Sequence, residues 1–386
     1  MNTKINKNKF SKILNQLKNY KDKDFNFSSG RILGSMCTQP HPIAKKAYLE
    51  FLETNLGDPE LFPGTKKIES EYISFVSSLL NAPKSSSGLI GSGGSESNIA
   101  AIWIAKKLSR KKEIIVPVSA HFSFEKISSF MDIKLTYIPL NKDYSMDINR
   151  LKKKINNKTA AVVGLAGSSE LGTIDQISEL SETCNDENIF LHIDAAFGGF
   201  VIPFLKELGY KVNDFDFKLK GVNSISIDAH KMGYSAIPLG ALILRNKKWL
   251  NEISVDTPYI SIKKQAGILA TRSGGPVAAA YAVAKYLGKD GYKRLIKKCM
   301  NNTHYIERKI NDLGLIFVIK PTMNVLGIKI KKPTKLVNKL TYYGWKVNEM
   351  ERLSAIRIVI MPHVTKNIID NFIPDLEKAC REIGEL

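Results

Sequence analysis

From about residue 66 to 285 the sequence alternates between short β-rich runs and amphipathic stretches of helical length, and that rhythm allows few architectures. The runs are Gly88 to Gly91, Glu113 to Val118, Leu135 to Ile138, Ala160 to Leu165, Ile189 to Asp194, Ser224 to Asp228 and Ala241 to Leu244. Between most of them lie stretches such as Ser95 to Leu108 and Gln176 to Glu187, amphipathic at helical spacing. Parallel neighbours need a long crossover, usually a helix, so the rhythm predicts an α/β fold with a mostly parallel seven-stranded sheet covered by helices. Residues 1–65 carry two helical patterns, Phe10 to Tyr20 and Ile43 to Thr54, and read as an N-terminal arm. Residues 66–285 read as the large domain. Residues 286–386 read as a small α+β C-terminal domain, with a long helix from about 290, strands near Leu326 to Ile330 and Ala355 to Ile360, and a last helix from Lys366.

Charge is the compositional oddity: 57 Lys and Arg against 37 Asp and Glu give +20. Such a balance invites a nucleic-acid partner, but phosphate contacts must converge on one surface. Here the densest runs, Lys111-Lys112, Lys152 to Lys154 and Lys329 to Lys335, share no spacing, so a nucleic-acid partner is not expected. No segment reaches the roughly 18 apolar residues of a membrane helix, and no apolar region follows the basic N-terminus, so a cytoplasmic protein is expected. The four cysteines, Cys37, Cys184, Cys299 and Cys380, form no C-x-x-C pair and signal neither zinc nor disulfides.

In an open parallel sheet, ligands bind beyond the carboxyl ends of the strands. Five chain-order signals share that edge. After Gly88 to Gly91 comes Ser92-Gly-Gly-Ser-Glu-Ser-Asn98, a glycine turn opening a helix, whose free N–H groups would attract an anion. It has neither the P-loop lysine nor the G-x-G-x-x-G spacing. His121 follows the second run and Gly167-Ser168-Ser169 the fourth. Asp194 ends the fifth, with Ala195-Ala196-Phe197-Gly198-Gly199 behind it, and Asp228-Ala-His-Lys231 ends the sixth. Singly, each has an ordinary reading as a core histidine, a cap or a solvated lysine. Together those readings leave the shared edge unexplained.

One chemistry needs this set. Pyridoxal 5'-phosphate requires an amine for its aldehyde, an acid to keep its ring nitrogen protonated, a flat group against the ring and an anion site for its phosphate. Lys231 supplies the amine, Asp194 the acid, His121 the stacking group, and Gly94, Ser95 and His230 the phosphate side. Asp194 and Lys231 lie 37 residues apart, which fits one helix and loop between neighbouring strands. Metal catalysis fits poorly, because His192 and Asp194 alternate on one strand but no further ligand spacing joins them.

The motifs Gly91-Ser-Gly-Gly-Ser-Glu-Ser-Asn98, His192-Ile-Asp-Ala-Ala-Phe-Gly-Gly199 and Ser224-Ile-Ser-Ile-Asp-Ala-His-Lys231 resemble, in order, those of the fold-type I pyridoxal-phosphate enzymes and, within them, the group II amino-acid decarboxylases. Further segments resemble the archaeal L-tyrosine/L-aspartate decarboxylase subfamily: Gly34 to Cys37, Leu52 to Pro59, His121 to Lys126, Glu170 to Asp175 and Arg357 to His363. The resemblance runs from about residue 30 to 375. It implies Lys231 as the Schiff-base lysine, Asp194 as the pyridinium partner, His121 as the stacking histidine and Ala196 as the small residue on the opposite face. It implies Gly94, Ser95 and His230 as phosphate ligands, and Ser168 or Ser169 as the hydroxyl near the phenolic oxygen. Arg357 corresponds to a substrate-carboxylate arginine, and its planar fork suits that task. Asn55 and Ser35 to Cys37 resemble elements that line the substrate pocket. Where the family often has Thr, this chain has Ser95 and Ser168, each keeping a hydroxyl. The long loop that carries a proton-donating tyrosine in animal relatives is short here, Tyr259 to Arg272, leaving Tyr259, His121 or Lys231 as the donor.

The resemblance implies decarboxylation of an L-amino acid: aspartate to β-alanine for coenzyme A, or tyrosine to tyramine for methanofuran, with glutamate as a further substrate. It also implies a homodimer with shared active sites. Sphingosine-1-phosphate lyases resemble the chain at Gly91 to Ser97 and Ser224 to Lys231 and stand as the alternative, although they usually bring a membrane segment. A basic nucleic-acid-binding protein is the alternative from another class.

Overall fold

The computed structural model of the protein describes residues 6–386, so residues 1–5 of the expected arm lie outside the described residues. All seven β-rich runs form strands of one sheet: β1 (Ser87–Gly91), β2 (Glu113–Pro117), β3 (Lys134–Ile138), β4 (Thr159–Leu165), β5 (Phe190–Asp194), β6 (Val222–Ile227) and β7 (Gly240–Leu244). Their order is β1-β7-β6-β5-β4-β2-β3. Pairs β2–β3, β2–β4, β4–β5 and β5–β6 are parallel, and β7 is antiparallel to both β1 and β6. The carboxyl ends of β1, β2, β4, β5 and β6 therefore open on one edge.

Every residue of β2, β4, β5 and β7 is buried, as expected of strands covered on both faces. Successive side chains feed opposite layers. Ile115, Val162, Ile193 and Ile243 join a core with Tyr72, Val76, Phe200 and Val283 on one side. Ile114, Val116, Val163 and Leu242 join Ala101, Ile104 and Phe124 on the other. The helices of this part of the chain are, in order, α1 (Lys7–Lys21), which buries none of its residues, α2 (Pro42–Glu50), α3 (Pro63–Leu79), α4 (Gly94–Ser109), α5 (Ser123–Met131), α6 (Ile148–Lys154), α7 (Ile177–Asp186) and α8 (Ile202–Glu207). At the open edge strand β3, Lys134 pairs with Glu113, the kind of charged side chain that blunts an edge against further pairing.

A small hairpin, β8 (Ser254–Asp256) with β9 (Lys264–Ala266), precedes the long helix α9 (Gly274–Asp312). The sequence rhythm puts that helix from about 290, but it starts at Gly274 and is interrupted at Gly288, whose φ of +56° is left-handed. The Ala-rich first half, Gly274 to Leu287, is a helix whose Gly-Gly-Pro opening reads as a loop in sequence alone. After α9 come β10 (Val325–Lys329), α10 (Pro333–Tyr342), β11 (Asn348–Met350), β12 (Ala355–Val359) and α11 (Lys366–Ile383). β10, β12 and β11 form an antiparallel sheet whose core, including Leu326, Ile328, Ile356, Ile358 and Phe372, is separate from the layers above. The N-terminal segment docks on this sheet: Leu33 and Gly34 donate N–H groups to the Lys346 carbonyl at 2.8 Å each, and Leu33 is buried in that core.

Candidate active site

A cavity of about 320 Å³ lies at the open edge of the large sheet. The segments after β1, β2, β4, β5 and β6 all line it, and nine of the residues singled out in sequence meet there: Gly94, Ser95, His121, Ser168, Ser169, Asp194, Ala196, His230 and Lys231. The segment Ser35 to Cys37 does not line it, and neither do Arg357, Asn55 and Tyr259 in the single chain. Arg357 lies beyond the cavity wall, its guanidinium donating to the carbonyls of Ser169 and, at 2.8 Å, Gly34. Asn55 is tied to its own turn, accepting the Gly57 N–H, and pairs with Ser273. Tyr259 sits in the β8–β9 connection, 88 % exposed.

β1 leads directly into α4. Its N-cap, Gly93, has φ +154° and ψ −175°, a conformation that favours glycine, and offers no side chain to cap the helix. The first-turn N–H groups and the positive end of the helix dipole thus adjoin the cavity, a ready anion site. Gly94 leaves little room: a Cβ there would lie 3.0 Å from Ala196 Cβ and 3.1 Å from Asp228 Oδ2. His230 completes this side, with Nδ1 2.7 Å from the Leu239 carbonyl oxygen and Nε2 3.7 Å from Asp228 Oδ2.

Lys231 follows β6 and sets its Nζ 3.2 Å from Asp228 Oδ2. Burial alone would lower the ammonium's pKa, but the charges of Asp228 and Asp194 outweigh it and the value rises. Asp194 ends β5. Burial alone would raise its pKa, yet the Lys231 charge and a 2.9 Å hydrogen bond from Asn98 Nδ2, with help from the Ala196 N–H, hold the carboxylate below its usual range. Opposite, His121 accepts the Ser123 N–H on Nδ1 at 3.2 Å, and burial lowers its pKa, so the flat ring is neutral with its proton on Nε2. The Ser168 hydroxyl lies 2.8 Å from Thr173 Oγ1 and accepts the Thr173 N–H at 3.1 Å, so it is engaged within its own turn. Ser169 is the freer of the two hydroxyls.

Asn98 and Asp228 also line the cavity, although neither is given a role from sequence. Asn98 lies one helical turn beyond Gly94, so the period of α4 brings both to the same face. Asp228 is 1 % exposed, and its Oδ1 has no hydrogen-bond partner. A buried carboxylate with an orphaned oxygen is costly, which marks a site built for something more than this chain's own packing.

The donor set fits pyridoxal 5'-phosphate. An uncapped helix start with His230 suits a phosphate, Lys231 an aldehyde, an ionised Asp194 a protonated ring nitrogen, and the neutral His121 ring and Ala196 the two faces of a flat heterocycle. The glycine at 94 leaves the depth such a ring needs. Fold and site together define a fold-type I pyridoxal-phosphate enzyme. Comparison with known proteins agrees and narrows this. The chain belongs to the pyridoxal-dependent decarboxylase family, whose conserved domain matches residues 50–328, and it is a pyridoxal-phosphate-dependent amino-acid decarboxylase. It is 44 % identical to a probable L-tyrosine/L-aspartate decarboxylase of Methanothermobacter thermautotrophicus over 91 % of this chain and 98 % of that one. It is also 44 % identical to the L-aspartate/L-glutamate decarboxylase of Pyrococcus horikoshii, over 95 % of this chain and 97 % of that one. Among solved structures, the sphingosine-1-phosphate lyase of Burkholderia pseudomallei superposes with a TM-score of 0.89 at 24 % identity, covering 99 % of this chain and 92 % of that one, a likeness of fold alone.

Proposed function

We propose that this decarboxylase acts on L-aspartate, L-tyrosine or both, releasing β-alanine or tyramine for coenzyme A or methanofuran biosynthesis. What carries the reading is the convergence of Lys231, the ionised Asp194 and the uncapped start of α4 on one cavity, in a chain whose relatives bear those substrate names. When bound, pyridoxal phosphate supplies an electron sink for the pair left on the α-carbon as carbon dioxide departs. Lys231 would hold the cofactor covalently through its side-chain amine. Asp194, held ionised, would keep a proton on the ring nitrogen, because a buried carboxylate favours a cation beside it. His121 and Ala196 would flank the ring, and Gly94, Ser95 and His230 would hold the phosphate. Ser169, rather than the engaged Ser168, would supply the hydroxyl for the phenolic oxygen.

Arg357 orients the substrate carboxylate in this reading: its Nε has no partner, and the loop it grips through Ser169 forms the cavity wall. A proton must return to the α-carbon; Lys231 and His121 line the cavity, whereas the exposed Tyr259, with Asn55, would serve a second chain's cavity. The same reading makes the protein a homodimer. Supporting this, α1 buries none of its residues, while Phe10, Ile13, Leu14, Leu17 and Tyr20 form an apolar stripe about half exposed, which needs another surface to cover it. Free thiols at Cys37, Cys184, Cys299 and Cys380 suit the reducing cytoplasm, and no helix among the described residues is long and apolar enough to cross a membrane.

The test is to incubate the cofactor-loaded protein separately with aspartate, tyrosine and glutamate and to measure carbon dioxide and amine. β-Alanine or tyramine is expected. Glutamate consumed in preference to both would overturn the substrate assignment, and no amine from any of the three would overturn the proposal entirely.

A further inference from the structure

Asp194 does not stand alone behind the cavity. A chain of buried groups reaches back from it through Asn98 on α4 to His192 and Ser224 on neighbouring strands. Asn98 Nδ2 lies 2.9 Å from Asp194 Oδ2 and 3.2 Å from Ser123 Oγ. Asn98 Oδ1 lies 2.9 Å from His192 Nε2, and His192 Nδ1 lies 2.8 Å from Ser224 Oγ. Asn98, His192 and Ser224 are each no more than 1 % exposed.

The direction of every bond follows from the carboxylate. Ionised Asp194 only accepts, so the Asn98 amide nitrogen must face it. The amide oxygen then faces His192, whose Nε2 must donate. Burial pulls the His192 pKa down to about 4, so the ring is neutral and carries one proton. With that proton on Nε2, Nδ1 accepts from the Ser224 hydroxyl. Each group has one orientation that satisfies its neighbours.

We infer that His192 and Asn98 are positioning residues for the decarboxylation: the His192 Nε2–H locks the Asn98 amide so that its two N–H groups hold Asp194 ionised and Ser123 in place. Ser123 in turn donates its N–H to His121, so one amide braces both the ring-nitrogen acid and the stacking histidine. Were the amide to flip, its oxygen would face the Asp194 carboxylate. Two acceptors in contact would favour protonation of Asp194, and a protonated carboxyl cannot keep the ring nitrogen cationic. His192 never touches the cavity and acts only through Asn98.

The inference rests on the proposed role of Asp194, and the experiment separates the two. His192→Phe removes the donor while keeping a flat ring, and His192→Gln returns an amide N–H toward Asn98. Wild type, both His192 variants, Asn98→Ala and the Asn98→Ala/His192→Phe pair are compared for cofactor affinity by absorbance titration, and for kcat and KM. One hydrogen bond to a charged network corresponds to about a tenfold effect. His192→Phe should weaken cofactor affinity and lower kcat by about that factor with KM within about twofold. His192→Gln should recover most of both, and the paired variant should be no worse than Asn98→Ala alone, because residues acting as one unit are not additive. Equal loss in the Phe and Gln variants, or losses that simply add in the pair, would overturn the relay while leaving Asp194's role intact. Should His192→Phe not fold, the Gln variant and the Asn98 variant decide alone: a Gln variant as poor as Asn98→Ala overturns the relay. Wild-type protein that binds no cofactor would overturn both readings.

Discussion

Lys231 and Asp228 meet at 3.2 Å with the carboxylate fully buried and the lysine side chain largely so, and a buried pair of this kind behaves asymmetrically. Removing one partner strands the other charge, whereas removing both charges is cheap. Lys231→Ala is therefore expected to destabilise the cofactor-free protein by about 3 kcal/mol, and Lys231→Ala/Asp228→Asn to regain most of that. Urea unfolding of the two variants measures it; a double variant no more stable than the single one would contradict the picture. Both variants should lack the visible absorbance of a covalently held cofactor, and neither should turn over. Asp194→Asn makes a different prediction. An amide can still hydrogen-bond Asn98 after a flip, so the protein should fold and keep the cofactor, but it cannot favour a protonated ring nitrogen. Turnover should drop by about a hundredfold or more with the cofactor retained. An unchanged rate would remove Asp194 from the chemistry.

Among the elements, the junction of β1 and α4 bears most directly on the cofactor. A Cβ at Gly94 would press on Ala196 and Asp228 at 3.0 and 3.1 Å, both on the cavity, yet Gly94 lies in a helix where alanine is intrinsically favoured. Gly94→Ala should thus leave the melting temperature nearly unchanged while weakening cofactor affinity tenfold or more, read by titration; undiminished affinity would mean that the phosphate lies elsewhere. This junction also shows what the sequence could reveal. A glycine turn after an apolar run is legible because strand end, φ freedom and helix start are local properties. The strand-end residues His121, Asp194 and Lys231 were legible for the same reason: period and position put them on one edge. Asn98 was not, although it stands in the same motif, because its value lies in contacts with Asp194 and His192, nearly a hundred residues away. His192 was legible only as a neighbour of Asp194 on alternate positions of β5, too little for a metal site and silent about any other role; its actual partners, Asn98 and Ser224, come from α4 and β6. The early start of α9 escaped because its Gly-Gly-Pro opening reads locally as a loop. Arg357 could be placed on its strand, but that it grips two backbone carbonyls depends on how the Gly34 and Ser169 segments pack.

For the whole molecule, the +20 surplus is a field rather than a site, and fields act on rates and on pH responses. If it steers substrate, kcat/KM for anionic aspartate should fall as salt rises from low to physiological levels while that for zwitterionic tyrosine hardly moves. Acid stability allows a finer test. Burial lowers the pKa of His192 from 6.5 to about 4, and burial also lowers His121, His363 and His41. Lowered histidines bind fewer protons folded than unfolded, so each contributes stability above pH 6.5 that is lost as pH falls toward its folded value. Asp175 has the opposite sign: burial raises its pKa from 3.8 to about 6, so the folded state gains as pH falls through 6. The His192 and Asp175 shifts, each worth roughly 3 kcal/mol, nearly cancel, which leaves the other three histidines to make the wild type less stable on going from pH 6.5 to 4.5. The carboxylates with lowered pKa values, Glu69, Glu113 and Asp194 among them, add their own losses only below about pH 4.5. His192→Gln deletes the largest falling contribution and keeps Asp175, so its unfolding free energy by urea at pH 6.5, 5.5 and 4.5 should be flat or rise where that of the wild type falls. A variant that tracks the wild-type slope would mean that His192 carries a proton in the folded protein, and the bond directions drawn from its neutrality would fail with it.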